Sequence, residues 1–519
     1  MQDSQNAAPR GDARFALMIL ALGLFLSARS VADPDLWGHV RYGQDMLSSH
    51  RIVMAAQYSY LTEGLPWINH EWLSEVTFAA VFNTLGPQGL LGLKALILLA
   101  ILGLSYRHLR AQDASTMAAG AVVLMVAYTI TIGSRTIRPQ LFTYFFFLLV
   151  LLAIHKADTG RLRALWFIPP IIALWANFHG GFLSGLGILV VWTGVRITGI
   201  VWAAVRERSS WMLPCGGIVL PVLVSLLATL VNPYGYRQMV FLWEALRVPR
   251  PDIVEWQPLT ITNVEGLAYM VLLGVSILAI STSLRRRSPA LVAVLACTAI
   301  LPFQAFRHLP LFAIAVPVIA GEHIGWAWRR WLAAGQNEPG MTARPQVQWA
   351  ASILPLAGGL LFGGAVLQNS TRIPIDPVNL DFPVRAVQML KTSGVHGNMA
   401  VFFNWGQYAL WYLGPNVKIS YDGRRESLYS DEIRAMNNNW TLGLGEWDAV
   451  LDRRPTDMAL LDKRMPVYNL MRLKPGWTLA YDDTLCALFV RHDSPLLQTL
   501  RSMPVRSDLP VDGAGLAFP

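Results

Sequence analysis

The sequence predicts a mainly α-helical, polytopic membrane protein: a bundle of spanning helices followed by a C-terminal α/β domain on the outer side of the membrane. Three observations carry this reading. The 519 residues are 54% hydrophobic and only 14% charged, with a mean hydropathy of +0.40, too apolar for a soluble chain of this length. Apolar runs recur at the length a bilayer demands, since a hydrocarbon core of about 30 Å takes roughly 20 helical residues. From residue 372 those runs give way to short β-like segments alternating with helical ones.

Taken in order, Arg10 and Arg14 precede the first run, Phe15 to Leu26. The stretch Ala28-Arg29-Ser30 to Ala32 has the look of a cleavage site, yet it leads straight into an acidic cluster and many further spans. It reads as an uncleaved anchor, with residues 1–14 a cytoplasmic segment. Spans follow at 15–31, 88–105, 117–133, 141–154, 164–177, 182–203, 211–231, 266–283, 289–303, 308–325 and 349–367, about eleven in a membrane domain of residues 15–371.

Cytoplasmic loops carry an excess of Lys and Arg, and here every second loop is basic. These loops hold Arg107 and Arg110, then Lys156, Arg161 and Arg163, then Arg206 and Arg208, then Arg285 to Arg287, then Arg329, Arg330 and Arg344. The net charge of +9 is therefore orientation charge, and no nucleic-acid partner follows from it. The opposite loops face outward, and two are long, 32–87 and 232–265. The first contains an amphipathic stretch, Trp72 to Leu85, suited to lying in the interface. The second mixes Pro, Arg and Trp and predicts short helices.

An odd number of spans puts the C-terminal region outside as well. Met399 to Phe402, Val417 to Ser420, Met458 to Leu461 and Cys486 to Val490 predict strands, and Pro383 to Lys391 and Asp431 to Met436 predict helices. They form a domain over 372–495, with 496–519 a disordered tail. Three scattered cysteines supply neither a disulfide framework nor a thiolate zinc site.

The residues that break the apolar background all fall at the outer ends of the spans. Asp33 and Asp35 flank a proline after the first span, where a carboxylate can deprotonate an acceptor hydroxyl or hold a divalent cation. The structural alternative is a helix cap for a helix starting near Leu36. His70-Glu71 adds a second carboxylate to the same loop, as a base or a ligand, or as a solvated pair between the interface anchors Trp67 and Trp72. Arg135 and Arg138 oppose the inside bias and suit phosphate oxygens, although arginines near helix ends also snorkel to lipid headgroups. Arg307-His308 repeats the pattern.

Asn177 and His179 sit in a tight Asn-Phe-His-Gly-Gly connection whose glycines permit close approach. The alternative is a helix-hairpin turn with a hydrogen-bonded histidine. His39 and His70, with Asp35, are candidate ligands for Mg, Mn or Zn, without a dedicated metal spacing. In the C-terminal domain, Asn404 to Tyr408 and Tyr421 to Arg425 end predicted strands, either lining a groove or forming a turn and core.

These motifs together carry a resemblance. Asp33-Pro34-Asp35-Leu36-Trp37-Gly38-His39, Trp67 to Ser74, Arg138-Pro139-Gln140, Asn177 to Phe182, Asn232-Pro233-Tyr234-Gly235 and Tyr421-Asp422-Gly423-Arg424 resemble a bacterial family of polytopic proteins related to the GT-C membrane glycosyltransferases. The likeness runs from residue 15 to 495, with one departure, Gly38, where a second aromatic is expected. It implies an inner-membrane enzyme that moves a sugar from a polyprenyl-phosphate donor to a glycan, lipid or protein acceptor on the periplasmic side. The family's first-loop acid maps onto Asp35, with Asp33 and Glu71 in support, and its phosphate-binding arginines onto Arg135, Arg138 or Arg307. The alternatives are a non-catalytic envelope glycan assembly or binding protein, and a lipid-linked substrate transporter, which needs polar groups near the bilayer midplane. Lys94 is the one charge inside a predicted span that fits the transporter.

Overall fold

The computed structural model describes residues 10–133, 135–248, 250, 253–334, 371–503 and 506–519. The expected span 349–367 and Arg344 lie outside them.

The first helix, α1, runs Arg10–Ala28 and ends before Asp33. Asp33 caps α2 (Pro34–Ser49), its Oδ1 accepting the Asp35 N–H at 2.9 Å, while Pro34 supplies the fixed φ of a first helical turn. Leu36, Trp37, Val40, Tyr42 and Met46 are buried around α2, which is covered by α3 (Trp72–Ala111) and by the C-terminal domain. In α3 the helical path breaks at Gly86 (φ 64°, ψ −158°) ahead of Pro87. The stretch expected to lie in the interface thus continues, through this break, into the spanning helix. Gly43 makes the α2–α3 contact possible, because a Cβ there would sit 2.0 Å from the Glu75 carbonyl oxygen.

The bundle continues with α4 (Thr116–Gly133), α5 (Gln140–Asp158), α6 (Ile168–Phe178), α7 (Phe182–Glu207), α8 (Met212–Ala228), α9 (Tyr236–Ala245), α10 (Val264–Thr282), α11 (Pro289–Ile300), α12 (Leu309–Ile319) and α13 (Gly321–Ala334). Among the described residues, four helices are long and apolar enough to cross a bilayer: α3, α5, α7 and α10. A pair bent by 62° around Ala320 passes the same test together, and the remaining apolar helices, such as Phe15–Leu26 and Met212–Ala228, are shorter. The expectation of about eleven full-length spans is therefore not met by length alone. Proline at helix starts and interiors (Pro169, Pro221, Pro289, Pro317) shortens or bends several of them.

Lys94 is no midplane charge. Its ammonium donates to the Arg29 carbonyl at 2.8 Å and to Ser30 Oγ at 2.9 Å, so it satisfies the end of α1.

The C-terminal domain holds a five-stranded sheet ordered β3-β2-β4-β6-β5, with β2 (Gly397–Val401), β3 (Val417–Ile419), β4 (Met458–Asp462), β5 (Trp477–Asp482) and β6 (Cys486–Arg491). β2 runs parallel to β3 and β4, and β6 antiparallel to β4 and β5. The connection between α2 and α3 covers the β3 edge: Ile419 N–H donates to the Tyr58 carbonyl at 3.1 Å, and Tyr60 N–H to the Ile419 carbonyl at 3.2 Å.

Residues 496–519 are not a disordered tail. They form a helix, Leu496–Ser502, and a final strand β7 (Ala517–Phe518) that pairs antiparallel with β1 (Ile373–Pro374). Phe518 is buried, its ring 5.2 Å from that of Trp37.

Candidate active site

A cavity of about 760 Å³ lies between the helical bundle and the C-terminal domain. Its walls come from the starts of α2 and α3, the 135–140 and 179–184 connections, the segment after α9, residues 306–311, and residues 403–407 and 423–427. Loops at the other end of the bundle meet elsewhere, with Arg285 3.6 Å from Asp113 and Gln112 3.0 Å from His155.

One wall is organised by Arg138. Its Nη2 lies 2.6 Å from Asp33 and 3.1 Å from Asp35, and its Nη1 lies 3.6 Å from Glu255. Burial works against the guanidinium charge, but these three carboxylates outweigh it and hold Arg138 well above the usual arginine range. Asp33 is consumed as cap and anchor, its side chain 3% exposed, whereas the Asp35 side chain keeps 26% of its surface open. Burial is the largest influence on Asp35 and raises it to about 6; Arg138 pulls it down and Asp33 pushes it up. A carboxylate with that value is ionised at neutral pH yet more basic than an ordinary aspartate.

The second wall centres on Glu71. Gly181 N–H donates to His179 Nδ1 at 3.0 Å, which leaves the ring proton on Nε2, 3.4 Å from Glu71 Oε1. Thr143 accepts from the Trp175 indole at 3.0 Å and so turns its hydroxyl proton to the same His179 Nδ1, 2.7 Å away. Burial keeps His179 neutral, lowered to about 3. A Cβ on Gly181 would stand 2.3 Å from Thr143 Oγ1, so this relay requires glycine there. Glu71 is half-buried, and the adjoining His70, His179, His39 and Arg307 outweigh its desolvation and lower its pKa.

His39 does not join Asp35 or His70 as a ligand. Its Nδ1 faces Glu75 Oε1 at 3.3 Å, and Asn69 donates to the other Glu75 oxygen. Burial opposes its charge, but the Glu75 hydrogen bond and the Glu71, Glu75 and Asp35 carboxylates prevail and raise it to about 9. Among the described residues no three His, Cys, Asp or Glu side chains converge as a metal-binding group, so the expected His39–His70–Asp35 set does not fit a cation.

Arg307 closes the third side, 3.4 Å from Glu255. Trp256 lies against both Arg307 and Arg250, ring centroid to Cζ 4.6 and 4.1 Å. Arg250 in turn reaches Glu426 of the C-terminal domain at 3.1 Å. Arg135 and His308 line the cavity, Arg135 exposed and His308 bonded through Nδ1 to the Leu301 carbonyl at 3.3 Å. Asn177 does not line it. Its amide is spent on the Trp72 indole and on the Ala173 and Val231 carbonyls, tying α6 to α3.

The C-terminal motifs divide. Arg424 is buried in the cavity wall: it pairs with Asp422 at 2.6 Å inside a cage of Tyr42, Tyr58 and Trp67 at 5.1 to 5.2 Å. Asn404, Gly423 and Arg425 face the cavity. Gln407 packs onto Gly38, where a Cβ would meet the amide carbon at 2.4 Å, so the aromatic expected at 38 has no room.

Glu75 and Thr143 escaped the sequence reading. Their importance comes from partners 36 residues away, a separation no local pattern encodes. Glu255 was visible only as a Glu-Trp pair in an outer loop.

Comparison with known proteins places this geometry. No family model and no curated protein sequence matches the chain. Solved structures do match. ArnT from Cupriavidus metallidurans in the apo state aligns over 92% of this chain and 97% of its own, TM-score 0.56 at 12% identity. The same protein bound to undecaprenyl phosphate gives 93%, 98% and 0.50 at 11% identity. The archaeal oligosaccharyltransferase AglB from Archaeoglobus fulgidus, in complex with an inhibitory peptide and a dolichol-phosphate, aligns over 87% of this chain and 69% of its own, TM-score 0.55 at 11% identity. The chain has the GT-C fold. In this chain, the carboxylates and arginines of separate connections share one cavity beside the C-terminal domain.

Proposed function

We propose that the chain is an inner-membrane glycosyltransferase that moves a sugar from a polyprenyl-phosphate donor to a hydroxyl of a periplasmic or lipid-linked acceptor. Two of the similar structures carry undecaprenyl phosphate or dolichol-phosphate, which supports this donor class. The basic alternate loops support a cytoplasmic side opposite the cavity, and hence a periplasmic C-terminal domain.

In this reading Arg138 and Arg307 receive the donor phosphate. Asp35 takes the proton from the acceptor hydroxyl as its oxygen bonds to the anomeric carbon. The bond from that carbon to the phosphate oxygen breaks, and polyprenyl phosphate departs with its added charge held by the arginines. A single displacement inverts the anomeric centre. Glu71, held ionised by its histidines, orients the acceptor.

The observation that carries the proposal is Asp35, partly open, raised to about 6 and 3.1 Å from the permanently charged Arg138. Its test is transfer in membranes and mass spectrometry of envelope glycans and polyprenyl-phosphate sugars in cells. Asp35→Asn should cut transfer by about 100-fold or more at normal protein level, with the lipid-linked donor accumulating. Gly423→Ala is the companion, because a Cβ there would stand 2.0 Å from Asp35 Oδ1 and push the base aside. Full cellular function in a folded Asp35→Asn protein would favour a non-catalytic glycan-binding role.

A further inference from the structure

We infer that Glu255 is a built-in stand-in for the donor phosphate: its carboxylate holds the place between Arg138 and Arg307 that the phosphate takes on binding. This rests on the reading of the cavity as a polyprenyl-phosphate site. One oxygen of Glu255 lies 3.6 Å from Arg138 Nη1 and the other 3.4 Å from Arg307 Nη1, so a single side chain spans two guanidiniums from distant parts of the chain. Two like charges facing one gap repel, and an intervening anion keeps both directed into it.

The bridge is slack. Charge-assisted N–H···O bonds close to about 2.7–2.9 Å, and Arg138 reaches Asp33 at 2.6 Å, but neither Glu255 contact is that short. A phosphate, with more acceptor oxygens set tetrahedrally, engages both guanidiniums better than a planar carboxylate with one oxygen each. Glu255 is also free to leave. Its side chain is 34% exposed and sits on a short 3₁₀ turn, Val254–Trp256, whereas Asp33 is buried in its cap. The neighbouring Trp256 stays wedged against Arg250 and Arg307, so the carboxylate can swing out by side-chain rotation while Arg307 keeps its aim. The exchange swaps anion for anion and leaves neither arginine uncovered.

An internal competitor weakens apparent affinity in proportion to the fraction of molecules in which it occupies the site, so removing its charge should tighten binding. Full-length protein in neutral-lipid nanodiscs is titrated with undecaprenyl phosphate. Glu255→Gln and Glu255→Ala should each lower the apparent Kd by ~10-fold. Arg307→Ala should weaken binding, and adding Glu255→Gln to it should recover much less than in the wild-type background.

Parallel titrations use undecaprenol, inorganic phosphate and phosphatidylglycerol. A gain confined to undecaprenyl phosphate supports the inference with a polyprenyl source. A gain shared by inorganic phosphate or phosphatidylglycerol supports it with a free phosphate or a general lipid headgroup as the source. A gain shared by undecaprenol overturns it. Unchanged or weaker binding in both Glu255 variants overturns it too and leaves the proposed transfer standing, whereas a wild-type protein blind to undecaprenyl phosphate overturns both.

Discussion

Asp35 sits where two demands conflict. A base must be ionised to work, yet the fold disfavours its charge, since burial and Asp33 together outweigh Arg138. The sign follows. Transfer should rise as pH passes upward through about 6, and Glu71, held lower, contributes no leg in that window. Stability runs the other way. A raised folded-state pKa contributes stability that is full below 3.8 and lost by about 6, so Asp35→Asn should melt no lower than wild type at pH 7, with less activity. Melting curves of both proteins from pH 4 to 8 check this, and a large loss of Tm in the variant at pH 7 would contradict it. His39 gives a second leg. Raised from 6.5 to about 9, it contributes stability that is complete below 6.5 and disappears as pH rises through 9. Wild-type Tm should decline over that interval, and His39→Gln should flatten the decline. Asp33, Asp35, Glu71, Arg138 and Arg307 stood out because charge is rare in so apolar a chain, whereas Glu75, inside a helix, did not. Which acid pairs with which base was not legible, since Asp33 and Asp35 differ only in which way a helix turn points them.

Helices α2 and α3 form the rigid floor that sets these distances, and their separation depends on one missing side chain. At Gly43 a Cβ would meet the Glu75 carbonyl oxygen at 2.0 Å and the Ala79 Cβ at 2.7 Å, and backbone cannot rotate away as a side chain can. Gly43→Ala should therefore cost about 1–3 kcal/mol, the usual range for overpacking, and spread Asp35 from Glu71 with a fall in transfer. The same change at Gly92 or Gly103 on α3 meets nothing within 4 Å and should be neutral or slightly stabilising. Thermal unfolding of the three variants in one detergent separates the effects; equal shifts would mean that the α2–α3 contact does not matter. Short, largely buried apolar runs were readable in advance as strands, as β2, β3, β4 and β6 were. β5 was not: it is mostly half-exposed, and a register shift between Leu479 and Tyr481 interrupts its alternation. Helix α2 was foreseen only as a capped helix starting near Leu36, and the first half of α3 as an amphipathic stretch in the interface, because their polar and apolar residues are mixed.

The C-terminal domain and the bundle share one cavity, so whatever holds them together also holds the site. Trp37 is the pivot. Its buried ring meets Phe382, Tyr408 and Phe518 at 4.7, 5.3 and 5.2 Å, and it follows Asp35 by two residues on the same helix. The last strand locks that contact: Phe518 pairs with Ile373 across the β1–β7 ladder, and the Pro374 carbonyl accepts the Ala32 N–H at 2.8 Å, one residue before the α2 cap. The end of the chain thus fastens the roof of the cavity to its floor. Composition hid this, because a segment rich in Gly, Pro and Asp reads as tail until something buries its one large ring. Phe518→Ala should cost about 3–5 kcal/mol of local packing, as for other buried phenylalanines. The loss falls on docking rather than on either core, so the sheet should stay folded while its hold on α2 loosens. Limited proteolysis should then release the C-terminal domain faster, and transfer should fall although Asp35, Arg138 and Arg307 are untouched. Replacement of Phe518 by Leu should restore part of both. A truncation before Gly515 that left proteolysis and transfer at wild-type levels would show that the roof is held by the Tyr58–Ile419 and Arg424 contacts alone.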